Sequence, residues 1–248
     1  MSRPDLAGSP TDPVAVPAVI AKLAGGDPLV PVWQNLLGGL TFRLGGGEGR
    51  VRYAKWVATG TPEIDLAGEA ERLRWAQGRV PVPHVLELGG DADGSWLVTE
   101  EVPGRSAVDP RWIAEPATAA TAIGRGLRLL HDALPVEECP FDWSVERRLA
   151  RAEPRHPDLA EPPPIDRLVV CHGDACAPNT LLHDDGTFAA HVDLGSLGVA
   201  DRWADLAVAS WSTEWNYGPG YDGFVYKGYG IAPDRRRIAY YRLLWDMS

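Results

Sequence analysis

The sequence lacks long apolar runs and has few cysteines. None of its apolar runs approaches the roughly 20 residues of a transmembrane helix, so we expect no membrane partner. The apolar stretch 14–21 is short, contains Pro17 and has little positive charge before it, which disfavours a cleaved signal peptide. The three cysteines, Cys139, Cys171 and Cys176, follow no disulfide-framework spacing, and no second Cys/His pair completes a metal site. We therefore expect a cytoplasmic protein with reduced thiols.

Positive charge is also scarce. There are 24 lysines and arginines against 34 aspartates and glutamates, and the formal net charge is −10. Nucleic-acid backbones are bound by basic patches, so we expect no nucleic-acid partner. An acidic balance suits a cationic small molecule, although it also serves solubility. The length of 248 residues allows one large domain or two small lobes.

The patterning changes from strands to helices along the chain. Residues 1–27 are rich in Pro, Ala, Gly and Asp, which predicts a flexible arm with at most a short helix at 16–23. Residues 28–102 predict a β-rich N-lobe with one helix at 64–77, and residues 103–248 predict a mainly helical C-lobe. Strands are expected at 32–36, 40–44, 51–57, 82–88 and 95–102, and C-lobe helices at 118–132, 201–215 and 235–245. The fold class is therefore α+β with two lobes.

The most informative stretch carries two acidic motifs. A His-Gly-Asp motif ends at Asp174, Asn179 follows five residues later, and an Asp-Leu-Gly motif begins at Asp193 after a short strand pattern. Phosphoryl transfer needs this arrangement, because a carboxylate can orient a hydroxyl while amide and carboxylate oxygens hold Mg²⁺. Protein kinases use the same logic in their His-Arg-Asp and Asp-Phe-Gly motifs. Asp174 is therefore the candidate base, and His172 is expected to brace the loop through hydrogen bonds.

A lysine and a glutamate upstream strengthen this interpretation. Lys55 falls on the third strand of a hairpin run with glycine turns, from which a lysine can reach nucleotide phosphates. Glu69, on the following helix, is placed to fix the lysine rotamer. By themselves these residues would be ordinary solvated charges, and the downstream motif favours the functional interpretation. His131, near the end of a predicted helix, is expected to serve packing or capping.

With these residues the chain resembles the aminoglycoside phosphotransferases, most of all their 3′-phosphotransferase group within the protein-kinase-like superfamily. The resemblance runs from Val32 to the C-terminus. It is carried by these segments: Tyr53-Ala54-Lys55, Gly68-Glu69-Ala70-Glu71-Arg72-Leu73, Val80-Pro81-Val82-Pro83, Trp96-Leu97-Val98-Thr99-Glu100, Val170-Cys171-His172-Gly173-Asp174 and Leu197-Gly198-Val199-Ala200-Asp201-Arg202-Trp203-Ala204-Asp205. It implies a two-lobed protein-kinase-like fold, ATP or GTP as donor, Mg²⁺, and phosphorylation of an aminocyclitol antibiotic, with the 3′-hydroxyl as the expected acceptor.

The resemblance also implies roles by position. Asp174 would be the catalytic residue, and Asn179 and Asp193 the metal ligands. Asp205 would support the catalytic loop. The nucleotide-binding roles fall on Lys55, Glu69, Thr99, Glu100 and Val102, the last three within an adenine-binding hinge that uses backbone groups.

Two departures from the family concern its loops. Relatives usually carry a Ser-Gly-Ala-like turn in the nucleotide flap, whereas this chain has Leu37-Gly38-Gly39. The segment 139–168 is short where relatives often place helices with acidic substrate contacts. The acids that remain there are Glu146, Glu153, Asp158 and Glu161.

A third departure lies at the C-terminus. Relatives often end in Leu-Leu-Asp-Glu followed by two aromatic residues, whereas this chain has Trp245 and Asp246 at the acidic positions. A lost carboxylate removes a charge-assisted hydrogen bond worth roughly 1.5–3 kcal/mol. Glu214 and Asp246 are the remaining candidates for binding a cationic substrate.

Two alternatives to aminoglycoside phosphorylation stay open. The shortened segment and the altered C-terminus favour another amino sugar, a sugar or another hydroxylated metabolite as acceptor. The altered flap would suit a nucleotide-binding pseudokinase without transfer activity, although every catalytic position is present. The oligomeric state is not predicted by the sequence.

Overall fold

The computed structural model describes residues 7–8, 10, 12–46, 50–151 and 159–247. The chain divides into two compact units, the first comprising Met1–Trp75 with Pro83–Val102, and the second Ala76–Val82 with Pro103–Ser248. The segment Ala76–Val82 thus belongs to the second unit, although the sequence analysis assigned it to the N-lobe. Within the described residues, no helix is both long and apolar enough to cross a membrane.

The first unit is built on one antiparallel sheet of six strands, in the spatial order β1-β2-β3-β4-β6-β5. The strands are β1 (Ala7–Gly8), β2 (Leu29–Asn35), β3 (Leu40–Leu44), β4 (Arg52–Ala58), β5 (Val85–Gly90) and β6 (Gly94–Glu100). Five of these correspond to the predicted strands. β1 was not predicted, because two residues are too short for a periodic pattern.

Successive residues of β4 face opposite sides of the sheet, so one side packs in the core and the other carries Lys55. Ala54 is fully buried on one face, together with its cross-strand neighbours Phe42 and Val98. Lys55 points to the opposite face, since successive strand residues face opposite sides. That face is covered by α2 (Leu66–Ala76), where the predicted apolar residues Leu66, Ala70 and Leu73 are all buried.

The described part of the predicted flexible arm contains a packed helix. Helix α1 (Ala18–Ala24) ends at Gly25, which adopts a left-handed conformation with φ 61°. Ile20 and Ala24 are buried in one apolar cluster with Phe42 of the sheet. The short helix predicted at 16–23 is therefore present, but it packs on the sheet and is not part of a loose arm. Residues 1–6, 9 and 11 of the arm lie outside the described residues.

The second unit contains the remaining helices and two small sheets. Its helices are α3 (Pro110–Ile113), α4 (Pro116–Ala133), α5 (Val145–Arg151), α6 (Trp203–Tyr217), α7 (Asp222–Tyr229) and α8 (Arg235–Asp246). Helices α4, α6 and α8 were predicted, whereas the shorter α3, α5 and α7 were not. Its strands are β7 (Arg105–Ser106), β8 (Leu168–Cys171), β9 (Thr180–Leu182), β10 (Phe188–His191) and β11 (Gly198–Asp201).

Two glycines allow α4 and α7 to pack closely. A Cβ atom on Gly124 would lie 2.1 Å from the carbonyl oxygen of Val225, and one on Gly228 would lie 2.2 Å from the carbonyl oxygen of Thr121. Real Cβ atoms do not make such contacts, so the backbones meet where side chains are absent. This contact fixes the helix that carries His131.

The two motifs lie between the strands of one small antiparallel pair. β8 pairs with β11, and Cys171 is opposite Gly198. The chain between them contains a 3₁₀ turn at Ala177–Asn179 and the β9–β10 pair. Both motifs therefore begin at the end of a strand, β8 for His172 and β10 for Asp193.

Candidate active site

The loop after β8 requires a glycine at its centre. Gly173 has φ 83°, and a Cβ atom there would lie 2.0 Å from the carbonyl oxygen of Ser196. The indole of Trp143 donates a hydrogen bond to the carbonyl oxygen of Gly173 at 3.1 Å. This explains why a glycine separates His172 from Asp174, and it brings the Ser196 backbone against the loop.

Asp174 is held by the side chain of Asn179. The Asn179 Nδ2 atom donates to the carbonyl oxygen of Asp174 at 3.0 Å and to its Oδ2 atom at 3.1 Å. Within the described residues, the buried Oδ1 atom of Asp174 has no hydrogen-bond partner. Burial, and then the negative charge of Asp193, raise the pKa of Asp174 above its usual value. Asn179 therefore orients one oxygen of this carboxylate, while the other is buried without a hydrogen-bond partner among the described residues.

Asp193 has an unfavourable backbone conformation for a residue with a side chain. Its φ is 63°, in the left-handed region that non-glycine residues rarely adopt. The preceding residue is tied to the catalytic loop, because the Val192 amide donates to the carbonyl oxygen of Asn179 at 3.0 Å. Such strained conformations concentrate at functional sites, where the surroundings impose them.

The donors in this group suit a hard divalent cation. Asp174 and Asp193 are close enough for their charges to interact, and Asn179 turns its Nδ2 atom to Asp174, so its amide oxygen is the atom it can offer to a cation. Mg²⁺ prefers carboxylate and amide oxygens. A cation would also relieve the repulsion between the two carboxylates, so the residues present fit the predicted metal.

Asp205 anchors the backbone of the loop from α6. Its carboxylate accepts hydrogen bonds from the His172 amide at 2.6 Å and from the Gly173 amide at 2.9 Å. His131 completes the set, with its Nε2 atom 2.9 Å from Asp205 and its Nδ1 atom 3.0 Å from the Tyr229 hydroxyl. Burial alone would raise the pKa of Asp205, but the hydrogen bond from His131 and the other favourable contacts lower it below its usual value.

His131 thus has a larger role than the expected packing or capping. It lies in a fully buried chain of polar contacts that joins α4, α6 and α7 beneath the catalytic loop. His131 and Asp205 also lie close to Cys171, a trio with possible metal-ligand chemistry. The His131 and Asp205 side chains are already engaged in hydrogen bonds, and burial raises the pKa of the Cys171 thiol well above its usual value, so the trio is interpreted as structural.

Both ring nitrogens of His172 are engaged. The Nδ1 atom accepts from the Asp174 amide at 3.3 Å, and the Nε2 atom lies 3.0 Å from the carbonyl oxygen of Val192. This pattern requires a proton on Nε2 and none on Nδ1. His172 therefore links the two motifs through hydrogen bonds, which is the geometry that a bracing role requires.

His191, which was not predicted as a site residue, and Cys176, which was expected to be an ordinary thiol, are neighbours of the loop. His191 is buried against the His172 ring, with centroids 5.3 Å apart. Burial, and then the proximity of His172, lower the pKa of His191 to about 3, so this ring is neutral. Burial, followed by the charge of Asp174, raises the pKa of the Cys176 thiol well above its usual value. Both residues thus surround the loop without adding charge.

In the first unit, Lys55 and Glu69 form a close ion pair. The Lys55 Nζ atom lies 2.6 Å from Oε1 and 2.8 Å from Oε2 of Glu69. Glu69 is buried, whereas a quarter of the Lys55 side chain is exposed. The glutamate therefore holds the lysine while leaving part of it accessible.

The predicted hinge follows β6. Thr99 pairs with Tyr53 and Val85 inside the sheet. The Glu100 amide donates to the carbonyl oxygen of His84 at 2.9 Å, so it is not available to a ligand. Within the described residues, the Val102 amide has no backbone acceptor, which makes it the candidate adenine contact in this segment.

A hydrogen bond to the Asn35 side chain stabilises the turn of the predicted nucleotide flap at 37–39. The Gly39 amide donates to Oδ1 of Asn35 at 2.7 Å, and the intervening Gly38 has φ 89°. This turn therefore does not depend on the hydroxyl that relatives usually carry. The sequence also predicts a glycine turn at 45–47, of which residue 47 lies outside the described residues.

The predicted substrate-binding acids lie on α6 and α8. Glu214 is exposed and forms an ion pair with Arg242 at 3.1 Å, so part of its charge is already neutralised. Asp246 is exposed at the end of α8. Glu146 and Glu161 are exposed as well, whereas Glu153 and Asp158 lie outside the described residues.

The fold and this loop geometry define a class, the kinase-like phosphotransferases. A model of the phosphotransferase enzyme family matches residues 36–241, and the chain belongs to this family. The chain is 37% identical over 228 residues to an aminoglycoside 3′-phosphotransferase from Streptomyces fradiae, an alignment that covers 77% of this chain and 84% of the relative. It is therefore an enzyme of the phosphotransferase type that acts on hydroxyl groups.

Solved structures agree with this assignment. The crystal structure of a type VIII aminoglycoside 3′-phosphotransferase has a TM-score of 0.74 and 34% identity, covering 92% of this chain and 97% of that one. Aminoglycoside phosphotransferase APH(3″)-Id from Streptomyces rimosus, in complex with ADP and streptomycin, has a TM-score of 0.67 and 29% identity, covering 91% and 94%. The predicted two-lobed, kinase-like α+β fold class is confirmed.

Proposed function

We propose that this enzyme transfers the γ-phosphoryl group of ATP to a hydroxyl of an aminoglycoside, with the 3′-hydroxyl as the acceptor. The observation that carries the proposal is the Asp174 carboxylate, which has one oxygen oriented by Asn179 and the other without a partner in the described residues. A similar protein is named for 3′ transfer, and another binds ADP and streptomycin.

The first unit is proposed to bind the nucleotide. Val102 would offer its amide to the adenine, and Thr99 and Glu100 would form the hinge backbone beside it. Lys55, held by Glu69, would contact the phosphates as a positioned positive charge. GTP would be accommodated by the same kinds of contact, so the donor preference is part of the test.

The second unit is proposed to carry out the transfer. The Oδ1 atom of Asp174 would accept a hydrogen bond from the acceptor hydroxyl and so aim the hydroxyl oxygen at the γ-phosphorus. The new bond forms between the hydroxyl oxygen and the γ-phosphorus, and the bond from the γ-phosphorus to the β,γ-bridging oxygen breaks, which releases ADP. The hydroxyl proton passes to Asp174. Asp205 and His172 are proposed to position the loop, because their side chains accept hydrogen bonds from its backbone amides. Neither residue is proposed to contact the substrate.

Asn179 and Asp193 are the residues that would hold Mg²⁺. A bound ion would supply positive charge to neutralise the nucleotide phosphates. Glu214 and Asp246 are proposed to attract the amino groups of the acceptor. Because the reaction consumes ATP, we place it in the cytoplasm.

A coupled ADP-release assay tests this function. ATP and Mg²⁺ are supplied with an aminoglycoside that bears a 3′-hydroxyl and with its 3′-deoxy counterpart, and phosphorus NMR locates the phosphate in any product. Turnover confined to the hydroxyl-bearing compound is the expected result. Turnover of both compounds with the phosphate elsewhere would overturn the 3′ assignment while keeping the kinase.

A different hydroxylated acceptor is the second candidate. Trp245 stands at a position where relatives often carry an acid, and Glu214 is partly neutralised by Arg242. These features reduce the negative charge available for a polyamine. Profiling labelled ATP against amino sugars and neutral sugars would detect such an acceptor, and turnover of a neutral sugar alone would select it.

A further inference from the structure

Three tryptophans of the second unit form an aromatic cluster that the proposed reaction does not use. Trp211 and Trp215 of α6 and Trp245 of α8 make up this tryptophan cluster, and all three are partly exposed. The ring centroids are 4.7 Å apart for Trp211 and Trp215, 5.7 Å for Trp215 and Trp245, and 6.3 Å for Trp211 and Trp245. Such a cluster presents several ring faces within the width of one small molecule.

Two rings of the cluster lie on the turn of α6 that contacts the catalytic loop. The Ala177 amide, three residues after Asp174, donates to Oγ of Ser212 at 2.8 Å. Trp211 immediately precedes Ser212, and Trp215 lies three residues after it, within one turn of the helix. The turn of α6 that holds the catalytic loop therefore also carries two of the three rings.

The cluster already holds one cation. The Arg242 guanidinium lies 5.6 Å from the ring centroid of Trp211. The faces of aromatic rings attract cations, and tryptophan does so most strongly. Arg242 also forms an ion pair with Glu214, which partly neutralises that carboxylate. The three tryptophan rings beside this pair are partly exposed.

We propose that the tryptophan cluster is the acceptor subsite, and that Trp215 and Trp245 bind an ammonium-bearing sugar ring through cation–π contacts. The inference rests on the proposed function, which supplies the cationic acceptor. It would allow the enzyme to bind a polyamine although Glu214 is paired with Arg242. Ring faces attract an ammonium group without carrying a charge of their own.

Calorimetric binding without nucleotide tests the subsite. The probes are kanamycin A and its fully N-acetylated derivative, which keeps the rings and loses the cations. The variants are Trp215→Leu and Trp245→Leu, with Trp33→Leu on β2 of the first unit as the matched control. Each cluster variant is expected to bind kanamycin A about three- to tenfold more weakly. The acetylated probe should bind equally to all variants, and the control should behave as wild type.

Kinetics give a second readout that loss of folding would not mimic. Cluster variants should raise KM for the aminoglycoside by the same factor and leave kcat within about twofold, because the rings contact the acceptor and not the transferred group. If a leucine variant has a lowered Tm, Trp245→Phe replaces it, since phenylalanine keeps a ring face. That variant is expected to retain most of the affinity.

Several results would overturn the subsite. Unchanged affinity for kanamycin A in both leucine variants would do so, as would an absence of wild-type binding. An equal loss for both probes would show that the rings stack on the sugar rather than bind its ammonium. Ring-dependent binding with no ADP release would contradict the proposed function and leave the subsite standing.

Discussion

The Nε2 atom of His131 lies 2.9 Å from a carboxylate oxygen of Asp205, and both side chains are fully buried. Through Asp205, this contact reaches the backbone amides of His172 and Gly173. His131, 43 residues before Asp174, therefore helps to fix the backbone conformation of the loop that carries Asp174.

Replacing His131 by phenylalanine should destabilise the fold strongly. The substitution leaves the buried Asp205 carboxylate with one hydrogen-bond partner fewer, which costs about 1–3 kcal/mol. Urea unfolding of His131→Phe measures the change. The control is Asp184→Asn, because Asp184 is 77% exposed in its ion pair with Arg105 and should shift stability by less than about 1 kcal/mol. Equal effects in the two variants would contradict the anchoring role.

The same carboxylate sets an acid limit on stability. The pKa of Asp205 is lower in the folded chain than its ordinary value, so its contribution is present at neutral pH and is lost as pH falls through that folded pKa. Unfolding free energies between pH 7 and pH 3 should decline in the wild type. The decline should be smaller in Asp205→Asn, although that variant is less stable at pH 7.

Replacing Asp174 by asparagine should stabilise the enzyme in the absence of metal and nucleotide. The pKa of Asp174 is raised by burial and by Asp193, so its charge costs stability at any pH above that folded pKa. Removing the charge at pH 7 should add about 0.5–2 kcal/mol, as is common when a functional group is sacrificed. Thermal unfolding without Mg²⁺ measures this gain, and a lower Tm for Asp174→Asn would contradict it.

The Lys55–Glu69 pair should show coupling in both stability and catalysis. Lys55→Met leaves the buried Glu69 without its nearest cation, and Glu69→Gln lets the lysine rotamer relax. A double-mutant cycle by urea unfolding should give an interaction energy of about 1–3 kcal/mol. Both single variants should raise KM for ATP while changing KM for the aminoglycoside little. Additive effects in the cycle would show that the pair is not coupled.

Gly124→Ala tests the packing that supports His131. The added Cβ would meet the Val225 carbonyl oxygen at 2.1 Å, so the helices must separate, and overpacking of this kind costs about 1–3 kcal/mol. Gly223→Ala on α7 is the matched control, because a Cβ there meets nothing within 4 Å. The control should gain up to about 1 kcal/mol from its better helix propensity. A neutral Gly124→Ala would show that the close approach is not needed.

The sequence was most informative where the chemistry is local. Asp174, Asn179 and Asp193 fall within 20 residues, and their types alone indicate a hydroxyl-orienting group and a metal site. The strands around Lys55 followed from alternation, and the α2 helix from its apolar spacing. These features depend on neighbours along the chain, which periodicity and motif spacing can represent.

Contacts between distant segments could not be predicted in the same way. His131 reaches Asp205 across 74 residues, and Ser212 binds the Ala177 amide across 35. The tryptophan cluster joins α6 to α8 and has no local signature. The helix α7 was missed because eight residues are too few to show a clear helical period, and its position depends on packing against α4.

The catalytic role of Asp174 is tested most directly by the turnover of Asp174→Ala in the coupled ADP-release assay with saturating ATP, Mg²⁺ and kanamycin A. We expect kcat to fall at least about a hundredfold, in line with the removal of a general base, while the affinity for ADP stays within about threefold. If Asp174→Ala turned over at the wild-type rate and placed the phosphate on the same hydroxyl, the proposed role of Asp174 would be contradicted.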